Sequence, residues 1–148
     1  MMKMKKEVFV QLKNMKNSVI LATVQAKNYQ KTNVNLVKYL TKDIGIPGVY
    51  VTLNKPFATI KETLNESKVD TKLIIFIDAI TKTAGGKIKK AKECLYIGTP
   101  ENLSDISLSM DQAVTSLPGS EKFLFFDSLN TLLLYNEVRT VARFIHFL

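Results

Sequence analysis

The sequence is short of the residues that build several common kinds of site. One cysteine and one histidine exclude an internal disulfide framework and a histidine-rich metal site. Tryptophan is absent, and only two residues are arginine, the side chain that reads base edges best. No apolar run approaches the roughly 18 residues that cross a bilayer, and no apolar stretch follows the early lysines as it would in a secretory signal. These absences predict a soluble protein of the cytoplasm, with no membrane partner.

What the sequence does contain is typical of one globular domain. Its 148 residues are 46% hydrophobic and 23% charged, which excludes wholesale disorder. Lysine and arginine number 21 against 13 acidic residues, for a formal net charge of +8. Lysines are frequent near both Met1 and the Gly85-Gly86 pair. We therefore expect a single domain over residues 1–148, with a basic amino-terminal segment (1–16) and a basic mobile loop (81–93).

Short apolar runs predict the strands. Four runs are continuous, without the alternation of a strand that has one solvated face, and they cover residues 18–24, 48–53, 72–78 and 122–127. Continuous runs of β-branched and aromatic residues are typical of a parallel sheet that helices cover on both faces. Residues 94–98 are a fifth and weaker candidate.

Helical spacing separates these runs. Apolar residues recur every three or four positions in residues 31–41, after Pro56, in residues 101–117 and at the end of the chain. Thr99 and Asn136 are the expected N-caps of the last two helices, with Pro100 in a first turn. Alternating strands and helices predict an α/β three-layer sandwich with a mainly parallel sheet. Because the sequence stops inside an apolar helix face, we expect a longer parent chain or a partner that completes the unit.

The carboxyl ends of the predicted strands are where ligands bind in open α/β sheets. After the first predicted strand, Lys31 and Thr32 open a helix, as the last two residues of the phosphate-binding pattern GxxxxGK[ST] do. In that frame the two glycine positions hold Gln25 and Gln30. A Cβ there disfavours the left-handed backbone and occupies space beside the phosphate. The pattern alone leaves two interpretations open, phosphate contact or a solvated helix start.

Polar residues also follow the other predicted strands. Asp127 and Ser128 close an apolar run, as the magnesium-associated aspartate does in P-loop NTPases. Asp78 closes another run in the same way, so a carboxylate that only bonds to nearby backbone is the alternative for both aspartates. Asn54 and Lys55 stand where a carboxylate would be needed to orient an attacking water. The sequence therefore lacks a general base at this position, and we expect it to be poorly suited to hydrolysis.

Taken in order, five segments resemble the core of the RecA/KaiC-like ATPases, above all its small, divergent archaeal members. They are SVILATVQAKNYQKTNVNLVKYL, GVYVTLNKPFATIKETL, KLIIFIDAITKT, YIGTPENLSDISLSMDQAV and KFLFFDSLNTLLLYNEVRTVARFIHFL. The resemblance implies a P-loop NTPase fold, truncated where family members continue with further strands. It also implies Lys31 and Thr32 as the phosphate-loop pair, and Asp127 beside Mg²⁺ with Ser128 next to it. ATP and Mg²⁺ are the implied cofactors.

The departures from the family pattern shape the functional hypothesis. Both loop glycines are glutamines, and the family's catalytic glutamate pair falls on Asn54 and Lys55. We therefore expect a regulatory, adaptor or assembly module, not an enzyme, in a homo-oligomer or larger assembly. Weak nucleotide binding would use Gln25, Gln30, Lys31, Thr32, Asp127 and Ser128.

Two alternatives stay open. One is an active ATPase with an unorthodox phosphate loop, in which Asp78 is the nearest candidate acid. The other is a nucleic-acid-binding module that uses the loop lysines, because contacts between lysines and phosphates release counterions and so favour binding. Those lysines are Lys82, Lys87, Lys89, Lys90 and Lys92. A lysine-rich solvated surface is the simpler explanation of the same residues.

Overall fold

A parallel sheet of four strands forms the centre of the computed structural model, which describes residues 6–148, with side chains from residue 9 onward. The strands are β1 (Gly48–Thr52), β2 (Ile74–Asp78), β3 (Cys94–Tyr96) and β4 (Phe123–Phe126), in the order β3-β2-β1-β4. All pairs are parallel. The predicted α/β class with a parallel sheet is confirmed, and the carboxyl ends of all four strands lie at one edge.

Six α-helices lie in the described part of the chain. They are α1 (Lys6–Asn14), α2 (Tyr29–Lys38), α3 (Phe57–Glu66), α4 (Leu103–Ser116), α5 (Leu129–Tyr135) and α6 (Val138–His146).

The sheet has one apolar core on each face. Val49 and Val51 of β1 lie in a core with residues of α4, α5 and α6. Tyr50, between them in sequence, lies in a second core with residues of α2 and α3. Because every residue of β1 is buried, the strand reads as a continuous apolar run. This layering is compatible with the predicted three-layer sandwich.

Residues 18–24, predicted as the first strand, do not form one. They lie outside the sheet, and Val19 and Leu21 are 72% and 75% exposed. Asn17 turns the chain just before them with a left-handed φ of 52°. A run of β-branched residues reports how well a segment suits a pleated surface, not which strand it pairs with. The prediction of a strand here was therefore wrong, and β1 is the strand that lies between β2 and β4.

The first and third predicted helices begin or end elsewhere than expected. The helix predicted for residues 31–41 is α2, continued by a π-helical turn (Tyr39–Ile44) that ends at left-handed Gly45. Asn102, not Thr99, caps α4, because the Asn102 side chain accepts a hydrogen bond from the Asp105 N–H at 3.1 Å. Pro100 therefore precedes the helix instead of lying in its first turn.

The last predicted helix is two helices, because Asn136 ends one instead of starting the other. Its Nδ2 donates to the carbonyl of Leu132 at 3.1 Å and to that of Pro100 at 3.2 Å. Glu137 then occupies the N-cap position of α6. None of the helices in residues 6–148 has the length and apolar character to cross a bilayer.

The two basic segments differ in how much can be described. Lys3 and Lys5 of the amino-terminal segment lie outside the described residues. Helix α1 contacts the π-helical turn through Phe9 and Tyr39, whose ring centroids are 4.6 Å apart. Residues 81–93 connect β2 to β3 without a helix or strand, and their five lysines are exposed.

Candidate functional site at the carboxyl ends of β1 and β4

Asp127 is the centre of a polar cluster at the carboxyl edge of the sheet. It directly follows β4 and is only 4% exposed. One of its carboxylate oxygens accepts a hydrogen bond from the Leu53 N–H at 2.9 Å, and the other lies 3.2 Å from the Thr52 hydroxyl. Because β1 and β4 are paired in parallel, their ends bring these groups together. The carboxylate is thus bonded to the chain that leaves β1.

Helix α2 contributes the side chains above this edge. Asn33 donates from Nδ2 to the backbone carbonyl of Asp127 at 3.3 Å. One turn earlier, the hydroxyl of Tyr29 accepts a hydrogen bond from Asn54 at 3.3 Å. A cavity of about 20 Å³ lies beside Tyr29 and Asn33, which is room for one water molecule. It is too small for a phosphate group.

Burial changes the acid–base properties of the two titratable groups here. It raises the pKa of Asp127 to about 6, against hydrogen bonds from Leu53, Thr52 and Tyr29 that lower it. Burial also raises the pKa of Tyr29 to about 12, and the negative charge of Asp127 adds to the effect. Tyr29 therefore keeps its proton at neutral pH and acts as a neutral neighbour of the carboxylate.

Asp78, at the end of β2, is fully buried and fully bonded. One oxygen accepts from the N–H groups of Ile80 at 2.9 Å and Thr81 at 2.8 Å. The other accepts from the Phe57 N–H at 2.8 Å and from the Thr81 hydroxyl at 2.5 Å. Phe57 opens α3, and its N–H has no partner within the helix, so Asp78 caps that helix from the neighbouring strand. The interpretation of Asp78 as a carboxylate that bonds to nearby backbone is confirmed.

Ser128 and Asn54 are engaged with α5. The Ser128 hydroxyl caps this helix, accepting from the Thr131 N–H at 3.3 Å. The Thr131 hydroxyl in turn bonds to the side-chain oxygen of Asn54. Lys55, the other residue in place of the family's glutamates, donates to the side-chain oxygen of Gln30 at 2.7 Å. All of these polar groups have protein partners.

The predicted phosphate loop is not a loop with left-handed backbone. Gln25 has a φ of −65° and precedes a short 3₁₀ turn (Ala26–Asn28), and Gln30 already lies within α2. Thr32 is half-buried in the same helix. Lys31 lies on a different side of α2 from Asn33 and lines a separate groove with Lys27. The structure therefore brings Asp127 together with Ser128 and the start of α2, but not with Lys31.

These residues do not fit a magnesium nucleotide. One oxygen of Asp127 accepts from the Leu53 N–H, the other lies 3.2 Å from the Thr52 hydroxyl, and the residue is only 4% exposed, which leaves little room for a hydrated ion. Lys31 is directed to another groove. In residues 6–148 there is also no group of three or more histidine, cysteine, aspartate or glutamate residues placed to hold a metal.

Sequence reasoning missed several members of this cluster. Thr52, Tyr29, Asn33 and Thr131 are polar residues in or beside elements that read as apolar or helical, and no motif marks them. The four-residue spacing of Tyr29 and Asn33, which places both on one face of a helix, is the one available signal. Cys94 is buried, and burial raises the pKa of its thiol to about 12.

Comparison with known proteins adds no relative. No family model matches the chain, and neither the curated proteins nor the solved structures gave a match.

Proposed function

We propose that this chain is a non-catalytic module, regulatory, adaptor or assembly in role, on a RecA/KaiC-like scaffold. One observation carries the proposal: both carboxylates at the carboxyl edge of the sheet are bonded to the protein's own donors. Asp78 accepts four hydrogen bonds, and Asp127 is held by the residues that leave β1. Hydrolysis needs a base within reach of a water molecule, and both carboxylates are buried, with exposed fractions of 0% for Asp78 and 4% for Asp127.

The residues after β1 support the same conclusion. An amide, Asn54, and an ammonium group, Lys55, stand where a carboxylate would have to orient water. Each already has a partner, Thr131 for Asn54 and Gln30 for Lys55. These two contacts thus join the chain after β1 to α2 and to α5.

Millimolar Mg-ATP should leave the melting temperature of the protein unchanged. A ligand at about 100 times its dissociation constant would add roughly 2.7 kcal/mol, which is several degrees for a domain of this size. Phosphate release should equal the protein-free blank, and Lys31→Ala should not differ from Lys42→Ala, the change of another exposed lysine. Turnover that Lys31→Ala abolishes and Lys42→Ala does not would contradict the proposal.

The candidate surface for the assembly role is the lateral edge of the sheet, along the outermost strand β4. Within the described residues, β4 pairs only with β1. The N–H groups of Phe123 and Asp127 donate to carbonyls on the β1 side of the strand, those of Pro47 and Val51, at 3.1 Å and 3.2 Å. The N–H groups of Leu124 and Phe126 therefore point away from β1, to the open edge. Leu124, on β4 itself, is 36% exposed and adds nonpolar surface to this edge. We propose that a second copy pairs here, β4 against β4, because a two-fold axis makes an edge complementary to itself.

Leu124→Lys should convert a dimer into a monomer. A charge on an open edge strand opposes edge-to-edge pairing. The measurement is the molar mass by light scattering after size exclusion, across a range of protein concentrations. Leu108→Lys is the matched control, because Leu108 is 59% exposed on α4 and lies outside the edge. A wild-type protein that stays monomeric at every concentration would overturn this part of the proposal.

A further inference from the structure

An open groove of about 520 Å³ lies between α2 and α3. Three lysines line it, Lys27, Lys31 and Lys38, with neutral polar side chains such as Asn35 and Thr63, and without a carboxylate. Three ammonium groups that share one space repel one another, and an anion between them relieves that repulsion. The groove is thus a place of positive potential.

The lysines form a row along one wall of the groove. Lys31, Asn35 and Lys38 are spaced by four and three residues, so they lie on one face of α2. Lys27 lies about one turn before them, and the row is roughly 16 Å long at 1.5 Å per residue. One strand of a stacked duplex carries a phosphate per about 3.4 Å of helix axis. The row can therefore face several consecutive phosphates.

Among the side chains that the structure describes, few contacts neutralise these lysines. Lys38 bridges the groove by donating to the carbonyl of Ser67 at 3.1 Å, which fixes its ammonium group near α3. In residues 9–148 the two ion pairs involve other lysines, Lys16 and Lys61. Lys27 and Lys31 are exposed, so their charges are available to a ligand.

Basic and acidic residues are also unevenly distributed along the chain. Residues 1–96, which include α2 and α3, contain 18 of the 21 basic residues and 7 of the 13 acidic ones. Residues 97–148, which include α4, α5 and α6, contain 3 basic and 6 acidic residues. Within the first part, residues 26–44, which form α2 and the turns at its two ends, contain four basic residues and one acidic residue, so the wall of the groove that carries the lysines has a net positive charge.

We propose that the groove between α2 and α3 binds the sugar–phosphate backbone of a single nucleic-acid strand, without sequence preference. Lysine is a point charge that attracts phosphate without reading bases, and the groove contains neither arginine nor an aromatic ring. A concave, polar groove suits a strand better than a flat membrane, which peripheral proteins contact with apolar side chains. This inference is independent of the proposed non-catalytic role.

The test is the fluorescence anisotropy of a labelled 20-nucleotide single strand, titrated at several salt concentrations. The groove variant combines Lys27→Gln, Lys31→Gln and Lys38→Gln. The matched control combines Lys87→Gln, Lys89→Gln and Lys90→Gln in the basic loop, with the same loss of charge. We expect the groove variant to lose at least tenfold in affinity at low salt, and the loop variant less than about threefold. The slope of log affinity against log salt should fall by about 2 in the groove variant, at roughly 0.7 for each phosphate that a lysine no longer neutralises.

Several outcomes would overturn the proposal. They are equal losses in both triple variants, a larger loss in the loop variant, or wild-type binding that does not depend on salt. Phosphatidylserine vesicles that bind through the same three lysines would indicate a membrane surface instead. Displacement of the strand by inorganic phosphate at an equal phosphate concentration would indicate a site for small anions. Because Lys38 bonds to Ser67, the double variant Lys27→Gln, Lys31→Gln repeats the test without changing that contact, and a wild-type affinity there also counts against the groove.

Discussion

Asp78→Asn should lower the free energy of unfolding by about 3 kcal/mol or more, since it breaks a buried, charge-assisted hydrogen-bond network. An amide has only one acceptor oxygen, whereas Asp78 accepts from three N–H groups and one hydroxyl. The new NH₂ group would face donors, either the Phe57 N–H or those of Ile80 and Thr81. The start of α3 and the turn after β2 would both lose their anchor. For a chain of this length the melting temperature should fall by roughly 6–12 °C.

Asp70→Asn is the matched control for that experiment. Asp70 is exposed and accepts one hydrogen bond, from the Lys72 N–H at 3.0 Å, which an asparagine can also accept. We expect its unfolding free energy to stay within about 0.5 kcal/mol of the wild type. Urea unfolding followed by circular dichroism measures both variants. If Asp78→Asn unfolds like Asp70→Asn, the carboxylate does not hold the fold and a functional role has to be considered again.

The contrast between Asp78 and Asp127 shows what the sequence could and could not predict about the site. Each follows an apolar strand, so the position of both at the carboxyl edge of a parallel sheet was predictable. Their different surroundings were not, because these depend on the residues that come next in space. Asp78 meets the start of α3, whereas Asp127 meets the end of β1 and a tyrosine of α2.

Most of the strands could also be predicted from the sequence, and one predicted strand was wrong. Three of the four apolar runs became central or paired strands, and residues 94–98 gave the short β3, because burial on both faces leaves a clear sequence signal. Residues 18–24 have the same composition but lie outside the sheet. Strand pairing is a choice among competing partners, and a single sequence does not reveal which partner is preferred. The predicted phosphate loop depended on that strand, so the position of Lys31 could not be predicted either.

Asp127→Asn should have the opposite effect to Asp78→Asn and stabilise the protein at neutral pH. The folded state raises the pKa of Asp127 from 3.8 to about 6. The folded protein therefore holds this proton more tightly than the unfolded chain does, and the stability that the group contributes falls as the pH rises from about 4 to 6. Above pH 6 the buried carboxylate costs the fold up to about 3 kcal/mol. An asparagine avoids this cost, since its oxygen can accept from the Leu53 N–H and its NH₂ can donate to the Thr52 hydroxyl.

We expect the gain at pH 7.5 to be about 2 kcal/mol and the gain at pH 4 to be close to zero, because the wild-type carboxyl is then largely protonated in the folded state and costs the fold little. Urea unfolding at pH 4, 5, 6 and 7.5 gives the full dependence. Asp111→Asn removes the same charge from an exposed position of α4 and should show no such trend between pH 4 and 6. The amide also cannot bind a magnesium ion as a carboxylate does. A variant that is less stable than the wild type at pH 7.5 would contradict this prediction. It would mean that the fold favours the ionised carboxylate, as a bound cation does, and it would indicate a cation site at this cluster.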